Sequence, residues 1–159
     1  MRPGRAVGGG EEIRLSLESR LEYVDAVHRL AEEFGRAAGL ARHKAFELGL
    51  AVREAYANAV THGNESDPAR KVRLGFKVAP AGVRVWVDDE GRGFDPRLTP
   101  DPLSPENLTA TQGRGVFLIK AYTDGFEVRR GPGGGSRIWM LKRVEHKRVR
   151  AGGALRRRS

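Results

Sequence analysis

The chain has 159 residues, no cysteine, and 29 lysines and arginines against 20 acids, a formal charge of +9 at pH 7. This length suits one compact domain with its own core. The missing cysteine excludes disulfide frameworks, thiolate metal sites and thiol nucleophiles and fits a reducing compartment, and no apolar run approaches the roughly 20 residues of a membrane span. The excess charge lies at the ends: eight cations and one acid fall within 142–159 and two arginines within 1–10, leaving nineteen of each sign over 11–141. The body is thus neutral rather than a basic nucleic-acid-binding surface. KRVEHKRVRAGGALRRRS reads as a solvated tail, with a weak contact to an acidic partner or nucleic acid as the sharper alternative. MRPGRAVGGG carries two arginines and no apolar core behind them, so it reads as a disordered arm and not as a signal peptide.

In EIRLSLE, Ile13, Leu15 and Leu17 alternate with polar residues at the period of a half-buried strand. Ser19 and Glu22 form a capping-box pattern, and Tyr23, Val27, Leu30 and Phe34 give the following helix its apolar stripe. Gly39 is a plausible stop. A second helix is expected from about Arg42 to His62, closed by Gly63-Asn64. KVRLGFKV places Val72, Leu74, Phe76 and Val78 on one face, and GVRVWVDD does the same with Val83, Val85 and Val87. The short Ala79–Gly82 link makes these an antiparallel hairpin. DPRLTPDPLSPENLTATQ, residues 95–112, holds four of the eight prolines and no periodicity, which suggests a lid or a disordered insert. A short helix is expected over Gly115–Tyr122, then a hairpin of GFEVRR and SRIWMLKR joined by Gly131–Gly135. The order predicts an α+β two-layer sandwich, a mixed and mostly antiparallel sheet with helices on one face. Its bounds are an arm over 1–11, a domain over 12–142 and a tail over 143–159.

Four stretches carry candidate chemistry. In EAYANAVTHGN, Glu54 and Asn58 are four residues apart and share a helix face with Glu47 and Thr61. The stripe is either solvated or the wall of a pocket, where Asn58 offers a carbonyl oxygen to a hard cation and Glu54 serves as a base. In VDDEGRGFDP, Asp89, Gly91 and Gly93 follow a strand. They form a loop, or else a carboxylate acceptor with glycines that let backbone approach a flat ligand. In TQGRGVFLIK, Gly113 and Gly115 precede a helix whose N-terminal N–H groups could face phosphate. It fits neither a P-loop nor a dinucleotide fingerprint. In GPGGGSR, Ser136 follows three glycines before the last strand.

Taken in order, E-x-x-x-N-A, D-x-G-x-G-F, a lid, G-x-G before a helix and Gly-Ser before the last strand resemble the ATP-binding domain of the GHKL superfamily, the Bergerat fold, over nearly all of residues 12–142. Size, short lid and wording are most similar to the small anti-sigma factor serine/threonine kinases. The resemblance implies that Asp89 accepts the adenine amine with Ser136 supporting it through water, and that Gly91 and Gly93 shape the adenine pocket. It implies that Asn58 ligates Mg²⁺, that Gly113, Arg114, Gly115 and Val116 hold the triphosphate, and that Glu54 is the catalytic base. It further implies a cytoplasmic ATP-dependent kinase acting on an anti-anti-sigma-like protein, sequestration of a sigma factor, and a homodimer. The alternatives are a histidine-kinase catalytic domain and a partner-switching module that binds ATP without transfer. The first lacks an obvious phospho-accepting histidine, since His28 reads as a surface residue; a nucleic-acid binder through the tail ranks third.

Overall fold

The computed structural model describes residues 12–93 and 113–145. The expected arm, lid (95–112) and most of the tail lie outside the described residues. Five strands form one sheet in the order β1-β2-β3-β5-β4: β1 (Glu12–Glu18), β2 (Lys71–Ala79), β3 (Gly82–Asp88), β4 (Gly125–Arg130) and β5 (Ser136–Arg143). All four pairings are antiparallel, so no parallel pairing of a mixed sheet occurs among the described residues. The helices α1 (Val24–Ala37), α2 (Arg42–Asn58) and α3 (Gly113–Tyr122) cover one face.

The period-two pattern decides which face is covered. Val72, Leu74, Phe76, Val83, Val85, Val87 and Met140 point into one core with Val27 and Ala31 of α1, six residues of α2, and Ile119 of α3. Tyr56 is fully buried on α2, and its hydroxyl donates to the Glu18 and Arg20 carbonyls at 3.1 and 2.9 Å, tying the helix to the end of β1. Burial raises the tyrosine pKa and keeps it a donor. Gly39, at φ +97°, ends α1 as expected, with its N–H and that of Leu40 closing on the Arg36 and Gly35 carbonyls.

Several local expectations are corrected. The capping box does not form: Leu21–Tyr23 is a 3₁₀ turn with no side-chain cap, and the Ser19 hydroxyl is buried without a partner. Ile13 is exposed rather than packed. His28 is not a surface residue but half-buried, edge-on to Phe46 and against Gly49. Lys142 does not open a solvated tail; it is 5% exposed and donates to the Glu47 carboxylate and the Tyr122 carbonyl. Val144 still packs against the core.

On the face without helices, the register aligns Arg14, Gly75, Trp86 and Trp139 across four strands. A β-carbon on Gly75 would overlap the Trp86 indole, so glycine lets that ring lie flat on β2. The ring rests beside Trp139 at 5.2 Å and beneath the Arg14 and Arg137 guanidinium groups, at 6.0 and 5.8 Å. Gly75→Ala therefore overpacks this row and lowers stability by about 1–3 kcal/mol, read as a lower urea midpoint at unchanged slope; an unshifted midpoint would show that the ring is not pinned there.

Candidate nucleotide site

The last third of α2 supplies the first half of the site. Ala51, Val52, Ala55 and Ala59 are drawn into the core, which leaves Glu54 and Asn58 half-buried on the flank facing α3. There the small first turn of α3 closes on them. A β-carbon on Gly115 would lie 3.0 Å from Asn58 Nδ2, 3.2 Å from its Oδ1 and 3.4 Å from Glu54 Oε2. Glycine thus brings backbone at the positive end of α3 directly against an amide and a carboxylate. Arg114 is exposed and Val116 half-buried on the same turn. At the other end of α3, buried Lys142 joins Glu47 of α2 to the Tyr122 carbonyl and so fixes the angle between the two helices. Thr61, on the same expected stripe, does not join the site, because its hydroxyl donates to the Ala57 carbonyl.

The second half is built at the end of β3. Strand alternation sends Asp88 to the outer face, where Arg137 grips it in a two-pronged ion pair, and sends Asp89 inward. Asp89 is 7% exposed. Its Oδ1 accepts the Gly91 N–H at 2.9 Å and the Ser136 N–H at 3.1 Å, while its own N–H donates to the Ser136 carbonyl. Ser136 therefore holds the carboxylate through its main chain. Desolvation pushes the Asp89 pKa up, partly countered by those two N–H groups, with Arg70 the weakest influence.

Three glycines crowd the carboxylate. Side chains at Gly63, Gly91 or Gly135 would each collide with Asp89 or with one another's backbone. Gly93, at φ +84°, approaches the Gly134 carbonyl so closely that a β-carbon would lie 2.6 Å away. Gly63 belongs to a π-helical turn, Ala59–Gly63, that continues α2 beyond Asn58. One helix and its extension therefore touch both halves of the site, five residues apart, or roughly 7 Å along the axis. A base against Asp89 and phosphates against the α3 turn suit that separation.

Sequence reasoning missed the Glu47–Lys142 pair and the buried Asn64, 0% exposed. Neither has a sequence signal, because each partner is remote in the chain. Among the described residues no group of three acids or histidines could hold a metal. Asn58 fits a hard cation only as a single oxygen donor, the arrangement expected where phosphates and water complete Mg²⁺ coordination.

Asp89 sits in a site that disfavours its charge. Asp89→Asn keeps an oxygen for both N–H donors and is at least as stable as the wild type at pH 7. Because the folded pKa is raised, the wild type loses stability as pH climbs through the carboxylate range. The gap between the two melting temperatures is then widest near neutrality and closes in acid, and a gap that widens in acid would overturn this account.

Residues 17–142 match the histidine kinase-like ATPase domain family. The chain is 30% identical to a Staphylococcus epidermidis protein named serine-protein kinase RsbW, over 89% of this chain and 92% of that one. It is 28% identical to the Staphylococcus aureus protein of the same name, over the same shares. In fold it is similar to the RsbU and RsbW domains of a Mycobacterium tuberculosis protein (TM-score 0.58, 19% identity), covering 85% of this chain and 32% of that one. It is also similar to the histidine kinase domain of a blue-light activated kinase from Erythrobacter litoralis (TM-score 0.53, 20% identity), covering 78% and 60%. The chain therefore belongs to the histidine kinase-like ATPase family, on its serine-protein kinase branch.

Proposed function

We propose that this kinase works as an anti-sigma factor in the cytoplasm: with Mg²⁺ and ATP it phosphorylates a serine or threonine of a small anti-anti-sigma-like protein, and it sequesters a sigma factor. The packing of Glu54 and Asn58 against Gly115 carries this reading. It sets a base, an amide oxygen and a helix N-terminus around one point, and phosphoryl transfer needs mainly positioning and charge neutralisation. A homodimer is the assembly that the family resemblance favours.

In this scheme Asp89 accepts the adenine amine, the glycines at 91 and 93 leave room for the base, and Ser136 adds its hydroxyl through water. Gly113, Arg114, Gly115 and Val116 line the triphosphate, and Asn58 offers its oxygen to the cation. Bound Mg²⁺ neutralises phosphate charge. The Glu54 carboxylate orients the partner's hydroxyl and takes its proton as that oxygen bonds to the γ-phosphorus and the β–γ bridging oxygen departs with ADP.

Asn58→Ala is expected to abolish Mg-ATP binding. Glu54→Ala is expected to bind ATP normally and to transfer phosphate about 10²–10⁴-fold more slowly. Calorimetry with ATP and phosphosite mapping on the captured partner check both. Transfer at the wild-type rate by Glu54→Ala would remove its role, and stable partner capture with no phosphate transferred by the wild type would favour a sequestering module.

A further inference from the structure

We infer that Asn64 and Gly63 are positioning residues for base selection, fixing where the second carboxylate oxygen of Asp89 meets a purine; this rests on the nucleotide reading above. Neither residue is among those expected to touch ATP. Asn64 has no exposed surface, and its side chain bonds to two other segments, at Lys71 and at Glu90. Its Nδ2 donates to the Lys71 carbonyl at 3.0 Å, and its Oδ1 accepts the Glu90 N–H at 2.7 Å. Its own N–H donates to the Ala59 carbonyl at 2.8 Å, closing the π turn.

Glu90 completes the clasp. Its carboxylate accepts the Lys71 N–H at 2.8 Å and Arg73 at 2.6 Å, contacts that hold its pKa below the usual range. The peptide after Asp89 is thus tied to the start of β2 through both Asn64 and Glu90. Among the described residues Asp89 itself is hydrogen-bonded on one side only. Its Oδ1 is engaged by two N–H groups, whereas its Oδ2 abuts Gly63. The backbone of Gly63 lies outside the left-handed region, so alanine is conformationally permitted there. What excludes alanine is space, since its β-carbon would collide with the Asp89 carboxylate.

A carboxylate oxygen held in place accepts from an exocyclic amine and repels a carbonyl. It therefore separates a 6-amino purine from a 6-oxo one, and the separation decays when the oxygen can swing away. Asn64→Ala frees the peptide on one side, and Gly63→Ala pushes the carboxylate on the other.

The test is calorimetric titration of the full-length wild type, Asn64→Ala and Gly63→Ala with ATP and with inosine triphosphate, Mg²⁺ present, below each protein's melting temperature. The wild type is expected to prefer ATP, and each variant to lower the ATP-over-inosine preference at least about tenfold, or about 1.4 kcal/mol. Asn64→Ala leaves the part-buried Glu90 N–H and Lys71 carbonyl unpaired and can fail to fold; Gly63→Ala deletes no hydrogen-bonding group and keeps the test decisive. Equal weakening of both nucleotides, or an unchanged preference, overturns the inference while leaving the nucleotide site intact. A wild type that binds neither nucleotide sinks the site reading itself, and one that binds both alike sinks only the inference.

Discussion

The site depends on a carboxylate held in a nearly dry place with, among the described residues, no cation bonded to it. Asp89 is stabilised by two backbone N–H groups and by little else. Such an arrangement costs the folded state free energy, which a protein selected for stability alone would recover by swapping in an amide or an apolar residue. Its persistence makes sense when the unused acceptor capacity is needed by something that arrives later. The crowding by Gly63, Gly91 and Gly135 points the same way, because three side chains have been withheld from one small volume.

Helix α2 converts that local arrangement into a site. Its buried arc of alanine, leucine and valine, with Tyr56 bonded to the end of β1, locks the helix against the sheet. With the helix fixed, Glu54 and Asn58 have one place to be, and the π turn carries the same backbone on to Asp89. The Glu47–Lys142 pair then sets α3. A buried ion pair of this kind is a poor source of stability, since desolvation offsets much of its attraction. Its value here is directional: it ties one helix to another at the end away from the reactive groups.

Much of this was legible in the sequence. Period-two runs fixed β2 and β3, and spacing four apart put Glu54 and Asn58 on one face of α2. The order of polar boxes named the glycines at 91 and 115, which lie against Asp89 and against Asn58 and Glu54, and Gly93, which lies against Gly134 and Gly135. What stayed hidden was long-range pairing. Lys142 looked like the first residue of a basic tail because its neighbours are basic, yet its partner is 95 residues away. Asn64 looked like a turn residue, and its role emerges only once β2 and the Asp89 loop are folded beside it. The Ser19 capping box failed because the chain enters α1 through a 3₁₀ turn, so the local pattern lost to tertiary placement.

The two adjacent aspartates show how a sheet divides labour. Asp88 and Asp89 are neighbours in the chain, but the pleat sends them to opposite faces. Outside, Arg137 meets Asp88 in parallel hydrogen bonds while lying over Trp86 and Trp139, so its guanidinium is held by charge and by two rings together. That anchorage matters inside as well. Arg137 follows Ser136, whose N–H serves Asp89, so the grip on Asp88 also steadies the strand end that holds the inner carboxylate. The tryptophan row, on the face away from Asp89, thereby supports the inner carboxylate through one strand end.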